Sequence, residues 1–264
     1  MIISPAVSVP GLGALSALQN GFKDAIVVVI GGRGGIGRAV VSQCLDLGAR
    51  VIVVSSTSGE SHLDLSPWDK SEPATIRANI CAPHTLKLLA QEIETQVGRI
   101  DILVNSAGSS TQIPLKALDR LSDDLIQDVF SANAMSVIAS IRELSPLLKK
   151  GIDPVIVNIG SIAAWTGMGS NLAYVGAKAA VQAMSIGLAK ALAPEIRVVG
   201  IAPSALETGF VKQRSQEFLD ATIRATPLAR LTTVTEVASA VLCAARILTA
   251  TTGVTIAVDG GRHL

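Results

Sequence analysis

The sequence predicts an α/β fold, a single-domain doubly wound parallel sheet of about seven strands with helices on both faces. Seven short apolar runs rich in Val and Ile recur along the 264 residues, and helix-like segments separate most of them. The runs are continuously apolar, which indicates strands buried on both faces. Strands that alternate with helices are typical of a parallel sheet covered by two helical layers.

The predicted elements follow one another in a regular order. The strands are 25–30, 50–55, 74–80, 101–106, 154–161, 197–202 and 254–259. The helices are 36–47, 84–97, 122–149, 173–193 and 234–248. Two connections, 56–73 and 203–228, are long enough to be lids, binding loops or surface insertions. Ligands of such folds bind beyond the carboxyl ends of the strands, so the functional residues are expected there.

The first 22 residues are predicted to form an N-terminal arm, 1–22, ahead of one large domain, 23–264. No basic residue precedes Lys23, and prolines and glycines interrupt the apolar residues of this segment, which is not the pattern of a signal peptide. The remaining length is typical of a single α/β domain.

Composition excludes several classes of function. Lys and Arg number 22 against 21 Asp and Glu, and the charges are scattered, which argues against nucleic acid or an acidic membrane surface as a partner. No stretch of 18 uninterrupted apolar residues occurs. The three cysteines and three histidines lack metal-ligand spacing. These observations predict a cytoplasmic protein with reduced thiols, no metal and a small-molecule substrate.

The stretch GGRGGIG after the first strand matches two phosphate-binding patterns. Gly32, Gly34 and Gly37 fit G-x-G-x-x-G, whereas Gly31, Gly35 and Gly37 fit G-x-x-x-G-x-G. In either register, glycine allows the backbone to approach a pyrophosphate at the N-terminus of the following helix. The glycines alone leave the register open.

Three side chains are expected to converge at the carboxyl edge of the sheet. Tyr174 and Lys178 are four residues apart in a helix-favouring run, and Ser161 ends a strand thirteen residues before the tyrosine. A free tyrosine has a pKa of about 10, and a neighbouring ammonium lowers it, so the phenol could exchange a proton with an alcohol or carbonyl oxygen. The alternative is a buried tyrosine that caps a carbonyl and a solvated lysine.

With these motifs the chain resembles the short-chain dehydrogenase/reductase family, and within it the 3-oxoacyl reductases. The matching segments occur in the family's order over 24–261; they are GGRGGIG, NSAG, FSANAMSV, NIGSIA, YVGAK, RVVGIAPSALET and TTGVTIAVDGG. The resemblance implies a Rossmann fold and hydride transfer between a nicotinamide cofactor and a ketone or secondary alcohol. It also implies the register built on Gly31, Gly35 and Gly37.

The resemblance assigns roles to individual residues. Tyr174 is the general acid or base, Ser161 holds the substrate oxygen, and Lys178 also binds the nicotinamide ribose. Asn133 keeps a helix bent and holds a water that links the lysine to solvent. The cofactor-binding residues implied by the motifs are Gly31, Arg33, Gly35, Ile36, Gly37, Ser55, Ser56, Asn79, Ile80, Asn105, Ala107, Gly108, Tyr174, Lys178, Pro203, Leu206 and Thr208.

The end of the second strand favours NADP(H) over NAD(H). Sites that prefer NAD usually place an acid there, whereas this chain has Ser55 and Ser56, and the first acid is Glu60. Arg33 in the glycine turn could bind a 2′-phosphate, or it could point to solvent. The alternatives are an NAD-dependent alcohol dehydrogenase and a catalytically silent protein that binds a dinucleotide.

Substrate identity is not encoded by the shared motifs. Trp165, Met168, Leu206, Phe210 and Phe218 could line an apolar pocket, although the two phenylalanines could equally anchor a lid.

The helices at 122–149 and 173–193 are apolar on more than one side, which predicts a homodimer or homotetramer assembled through them. The alternative is a monomer in which the N-terminal arm covers these helices.

Overall fold

The computed structural model describes residues 11–56, 72–206 and 215–264. Its seven strands form one parallel sheet in the order β3-β2-β1-β4-β5-β6-β7, which confirms the predicted doubly wound fold. The strands are β1 Ile26–Ile30, β2 Arg50–Ser55, β3 Ala74–Arg77, β4 Ile102–Asn105, β5 Val155–Ile159, β6 Arg197–Pro203 and β7 Thr255–Val258. The strand order reverses between β1 and β4, where folds of this kind bind their ligands.

Helices cover both faces of the sheet. They are α1 Gly11–Phe22, α2 Gly35–Asp46, α3 Pro83–Gln96, α4 Asp123–Phe130, α5 Ser136–Leu148, α6 Ala163–Thr166, α7 Leu172–Leu192, α8 Gln216–Arg224 and α9 Val234–Arg246. Alternate residues of β1 enter opposite layers, since Val28 packs with α3, α5 and α7, and Val27 packs with α2 and α9. This two-sided burial explains why the strand is apolar at every position.

The N-terminal segment differs from the predicted arm, because residues 11–22 form α1, which packs against α9. Phe22 at the end of α1 is 1% exposed, and the Arg246 guanidinium lies 5.9 Å from the centre of its ring. The Nε of Arg246 also donates to the carbonyl of Gly21 at 2.8 Å. These contacts with a distant helix stabilise a glycine-containing helix that its own sequence does not favour.

The single helix predicted at 122–149 is interrupted by a π-helical turn, Ser131–Met135, between α4 and α5. The side chain of Asn133 lies in this turn, and its Nδ2 donates to the carbonyl oxygen of Val129, four residues earlier, at 2.9 Å. Single π turns inside α-helices are frequent at functional sites. The local distortion implied by the family resemblance is therefore present.

Among the described residues, α7 alone is long and apolar enough by composition to cross a membrane. Core helices of globular proteins pass the same test, and α7 packs against β6, α4 and the π turn. It also carries Tyr174 and Lys178. Its apolar character is thus accounted for partly by packing within the fold.

Candidate active site

A cavity of about 760 Å³ opens at the carboxyl ends of the strands. The predicted residues on its wall are Gly31, Arg33, Gly35, Ile36, Ser55, Ser56, Asn79, Ile80, Ala107, Gly108, Ser161, Tyr174, Lys178, Pro203 and Leu206. Gly37, Asn105 and Asn133 lie outside the described wall, and Thr208 falls outside the described residues. The fold therefore gathers residues that are distant in sequence around one crevice.

The turn between β1 and α2 has two positions at which no side chain fits. Gly31 has a φ of +81°, and a β-carbon there would lie 2.6 Å from the backbone nitrogen of Ala107. A β-carbon on Gly37 would lie 2.2 Å from the carbonyl oxygen of Gly31. Gly34 is less restricted, with that same oxygen 3.3 Å away. Because Gly31 belongs only to G-x-x-x-G-x-G, the geometry favours that register.

The same turn suits a dinucleotide. The N-cap residue of α2 is Gly34, which has no side chain to cap the helix, and the first residues of α2 line the cavity, where a pyrophosphate could accept from their N–H groups. At the end of β2 the buried hydroxyl of Ser55 makes no hydrogen bond to the described residues. Arg33 is exposed beside it on the cavity wall. These residues fit the phosphates and ribose of a nicotinamide dinucleotide.

Tyr174 is positioned by the start of α7. Asn171 caps this helix, since its Oδ1 accepts from the backbone N–H of Tyr174 at 2.8 Å. The Asn171 side chain is fully buried and donates from Nδ2 to the carbonyl of Thr111 at 2.8 Å. The cap thus ties the first turn of α7 to the loop after β4. An Asn before a helix-favouring run is the signal by which the sequence could have identified this residue.

Lys178 lies one turn beyond the tyrosine, with its Nζ 5.7 Å from the centre of the Tyr174 ring. Nζ donates to the carbonyl of Ile159 at the end of β5, at 2.9 Å. Burial lowers the pKa of Lys178 to about 8, so the ammonium is retained below that pH and is lost as the pH rises through it. The lysine is therefore held beside the phenol, and the predicted alternative of a solvated lysine is wrong.

Ser161 completes the group from the turn after β5. Its Oγ accepts from the backbone N–H of Ala163 at 3.2 Å, and its side chain shares the cavity wall with Tyr174. Phenol, ammonium and hydroxyl thus converge on one crevice. This arrangement can exchange a proton with a substrate oxygen while holding that oxygen by a hydrogen bond.

Asn133 is fully buried behind this group. Its Nδ2 also donates to the carbonyl of Ser109 at 2.7 Å, and its Oδ1 makes no hydrogen bond to the described residues. A buried amide oxygen of this kind costs free energy unless it accepts a hydrogen bond. The geometry is compatible with the water contact that the resemblance implies for Asn133.

Asn105 has its side chain in the core instead of the cavity. Its Nδ2 donates to Oδ1 of Asn158 at 2.9 Å, and its Oδ1 accepts from Ser140 at 2.8 Å. Asn158 in turn donates to Ser185 on α7 at 2.9 Å. The register of β4 and β5 pairs the two asparagines directly. This polar network links the sheet to α5 and α7 and thereby supports the helix that carries the tyrosine.

The cavity also contains residues that the sequence analysis did not single out for the site. They are Val54, Cys81, Ser106, Ser109, Gln112, Ala132, Ile159, Gly160, Ile162, Ala163, Thr166, Gly169, Ser170, Ser204, Ala205, Ala225 and Arg262, while Gly34 of the alternative glycine register also lies on the wall. Of the predicted apolar residues, Met168, Leu206 and Phe218 line the cavity, and Phe210 lies outside the described residues. Arg262 directly follows the motif TTGVTIAVDGG, and folding brings it to the same wall as cavity residues that are distant in sequence.

Comparisons with known proteins identify the family of this chain. A family model described as Enoyl-(Acyl carrier protein) reductase matches residues 31–263. The chain is 29% identical over 249 residues to 3-oxoacyl-(acyl-carrier-protein) reductase FabG of Salmonella typhimurium, covering 92% of this chain and 99% of the relative. It is 31% identical over 250 residues to the FabG of Haemophilus influenzae, again covering 92% and 99%.

The fold of this chain is also similar to that of a solved structure. It is described as a short-chain dehydrogenase/reductase, glucose/ribitol dehydrogenase, from Brucella melitensis; the TM-score is 0.81 at 29% identity, covering 92% of this chain and 98% of that one. Fold, site and comparisons define an oxidoreductase of the hydride-transferring class. The chain belongs to the short-chain dehydrogenase/reductase family and resembles its 3-oxoacyl reductases.

Proposed function

We propose that the protein reduces a ketone to a secondary alcohol with NADPH, with Tyr174 as the general acid. The observation that carries the proposal is the convergence of Tyr174, Lys178 and Ser161 on a cavity that also contains the glycine turn. Bound NADPH would supply the hydride for the carbonyl carbon. The proton that the product oxygen gains comes from the phenol of Tyr174.

Each residue of this group has a separate task in the proposed reaction. Ser161 donates a hydrogen bond to the carbonyl oxygen and orients it toward the phenol. The Lys178 ammonium stabilises the phenolate that remains after proton transfer, because opposite charges held close together in a buried site attract strongly. Asn133 maintains the π turn behind the lysine. The reverse reaction uses the same groups, with the phenolate as base.

A preference for NADP(H) is part of the proposal. Ser55 and Ser56 present no carboxylate that would repel a 2′-phosphate, and Arg33 on the same part of the wall can form charge-assisted hydrogen bonds with it. Glu60, the first acid after this strand, lies outside the described residues.

We expect the wild-type enzyme to have a higher kcat/KM for NADPH than for NADH. Arg33→Gln should lower kcat/KM for NADPH about tenfold or more, corresponding to about 1.4 kcal/mol, and should leave kcat/KM for NADH unchanged. Initial rates with one ketone and both cofactors provide the measurement. Because NADH lacks the 2′-phosphate, it is the internal control for folding of the variant. A clear preference of the wild-type enzyme for NADH would favour the alternative of an NAD-dependent alcohol dehydrogenase.

The proposal includes a homo-oligomer that buries one face of α5 and α7. Ile138 on α5 and Ile186 on α7 are exposed, as is Met135 immediately before α5. On α7, Ala183 and Gly187 are exposed beside Ile186, and the Cα of Gly187 faces open space. Small residues allow two helices to approach closely across a two-fold axis. The segment 11–22 packs against α9 instead, which weakens the alternative in which the arm covers α7.

We expect the double substitution Ala183→Glu and Gly187→Glu to dissociate the oligomer, because like charges would face each other across the axis. Light scattering of dilute protein measures the mass. Leu88→Glu is the matched control, since Leu88 is an exposed apolar residue on α3 and its substitution should leave the mass unchanged. A wild-type mass equal to that of one chain would contradict the proposed assembly.

The remaining parts of the proposal are the boundaries of the catalytic domain, 23–264, and a cytoplasmic location. Extensive contacts of the single sheet with both helical layers support one domain. Cys44, Cys81 and Cys243 are free thiols, which supports a reducing compartment.

A further inference from the structure

We propose that Arg262 binds an anionic group of the substrate, so that the ketone reduced by this enzyme carries a carboxylate or a phosphate. Arg262 lines the cavity together with Phe218 of α8 and Ala225, which follows that helix. The inference rests on the proposed ketone reduction and names the class of substrate that the same cavity selects.

The charges on the described part of the cavity wall are one-sided. Its described wall contains three cations, Arg33, Lys178 and Arg262, and no aspartate or glutamate. Neither does Arg262 form an ion pair with any described residue. A guanidinium that lacks a carboxylate partner inside a concave site attracts an anionic ligand, and its planar fork suits carboxylate and phosphate oxygens.

Arg262 and Arg33 follow strands on different sides of the catalytic group. Arg33 follows β1 and Arg262 follows β7, and β4, β5 and β6 lie between these two strands. Because neighbouring strands are about 4.8 Å apart, β1 and β7 are separated by roughly 19 Å. Ser161 follows β5 in the interval between them. An anion at Arg262 is therefore expected on the side of the catalytic group away from the glycine turn.

The segment that carries Arg262 is held in a defined conformation. The carboxylate of Asp259 is 4% exposed; it accepts from the backbone N–H of Gly261 at 3.0 Å and from that of His263 at 2.8 Å. Gly260 and Gly261 have φ of +68° and +86°, conformations that favour glycine. This turn directs the intervening arginine toward α8 and the cavity.

One N–H of the arginine is already used. NH1 donates to the carbonyl of Thr222 on α8 at 2.9 Å, and no other hydrogen bond from the guanidinium to the described residues is formed. The contact fixes the guanidinium against α8 while the remaining N–H groups are left for a ligand. The Thr222 contact alone would suffice if Arg262 only stabilised the fold. Measurements with anionic and neutral ketones therefore distinguish ligand binding from a structural role.

The experiment compares anionic ketones with neutral counterparts in the wild type, Arg262→Gln and Arg262→Lys. The carboxylate probes are 3-oxobutanoate, 4-oxopentanoate and 5-oxohexanoate, each paired with its methyl ester. The phosphate probe is acetoacetyl-coenzyme A, paired with the neutral N-acetylcysteamine thioester of acetoacetate. We expect the wild type to favour the anion in at least one pair, and the identity of that pair distinguishes carboxylate from phosphate.

Arg262→Gln should lower kcat/KM for the favoured anion at least tenfold and leave the neutral counterpart within about twofold, whereas Arg262→Lys, which keeps the charge but loses the fork, should have a kcat/KM for the anion between those of the wild type and Arg262→Gln. Equal losses on anion and neutral ketone would overturn the proposal in favour of a structural role. Equal wild-type kcat/KM within every pair would overturn it as well.

A binding measurement without turnover separates this proposal from the proposed reaction. Hexanoate and the monophosphate of pantetheine contain no ketone, and calorimetric titration into the free protein and its NADP⁺ complex measures the anion contact alone. We expect one of them to bind the wild type at least tenfold more tightly than Arg262→Gln, and to bind Arg262→Lys with an intermediate affinity. Absence of this difference overturns the anion site. If the difference is present but no ketone consumes NADPH, the proposed reaction fails and the anion site stands.

Discussion

Tyr174→Phe is expected to abolish turnover and to leave NADPH binding nearly intact. The substitution deletes the phenolic oxygen, which is the proposed acid, and keeps the ring that packs on the cavity wall. General acid catalysis typically contributes about 10²–10⁴-fold to the rate. Steady-state kcat with a reactive ketone and fluorescence titration with NADPH provide the two measurements.

Lys178→Ala is the informative comparison for this variant. The substitution removes the ammonium beside the phenol. It also removes the contact with the nicotinamide ribose that the family resemblance implies for Lys178, so both turnover and NADPH binding should weaken. Retention of more than about a tenth of the rate by Tyr174→Phe, a loss of about 1.4 kcal/mol or less, would show that the phenol is not the acid.

The phenol can also be titrated directly. Tyr174 is the only tyrosine in the sequence, so the near-ultraviolet absorbance of phenolate reports on this side chain alone. Removing the ammonium in Lys178→Ala should raise the pKa of the phenol, because a nearby positive charge favours the phenolate. An unchanged titration would contradict the proposed role of the lysine.

Gly31→Ala is expected to eliminate dinucleotide binding. The new methyl group would lie 2.6 Å from the backbone nitrogen of Ala107, and the backbone at Gly31 has a φ of +81°, which alanine adopts only with strain. The backbone at Gly31 and the backbone at Ala107 after β4 are in contact, so room for the methyl group requires one of these two segments to move. We expect no saturable binding of NADPH in a fluorescence titration.

Gly34→Ala is the matched control within the same turn. A β-carbon at Gly34 would be 3.3 Å from the nearest atom, so a shift of a few tenths of an ångström can accommodate it, and NADPH binding should persist. Far-ultraviolet circular dichroism establishes that both variants are folded. If Gly34→Ala lost binding and a folded Gly31→Ala kept it, the register of the glycine pattern would be the other one.

The sequence predicted the strands well because their signal is local. The strands inside the sheet are buried on both sides, so β1 and β2 carry apolar runs that are recognisable without knowledge of their neighbours. The helix of Tyr174 and Lys178 was equally clear from its helix-favouring run. Within a helix, a spacing of four residues puts both side chains on one face. A family resemblance then ordered the remaining motifs.

Departures arose where distant residues decide the conformation. Residues 11–22 form a helix that Arg246 of α9 contacts at its end, and the glycines of the segment obscure its helical spacing of apolar residues. The long helix at 122–149 contains a π turn at Asn133, whose side chain donates to the carbonyl of Ser109 in the loop after β4, 24 residues away. In both cases the competing local preference is weaker than the tertiary contact.

The sequence by itself determined the fold class, the parallel strands and the residue types available for proton transfer, since short-range periodicity and spacing encode them. Tertiary structure alone decided which polar groups face the cavity. It turned Asn105 toward Asn158 in the core and brought Arg262 to the same wall as cavity residues that are distant in sequence. The physical reason is that a side chain's direction and partners depend on strand register and helix packing between residues far apart along the chain.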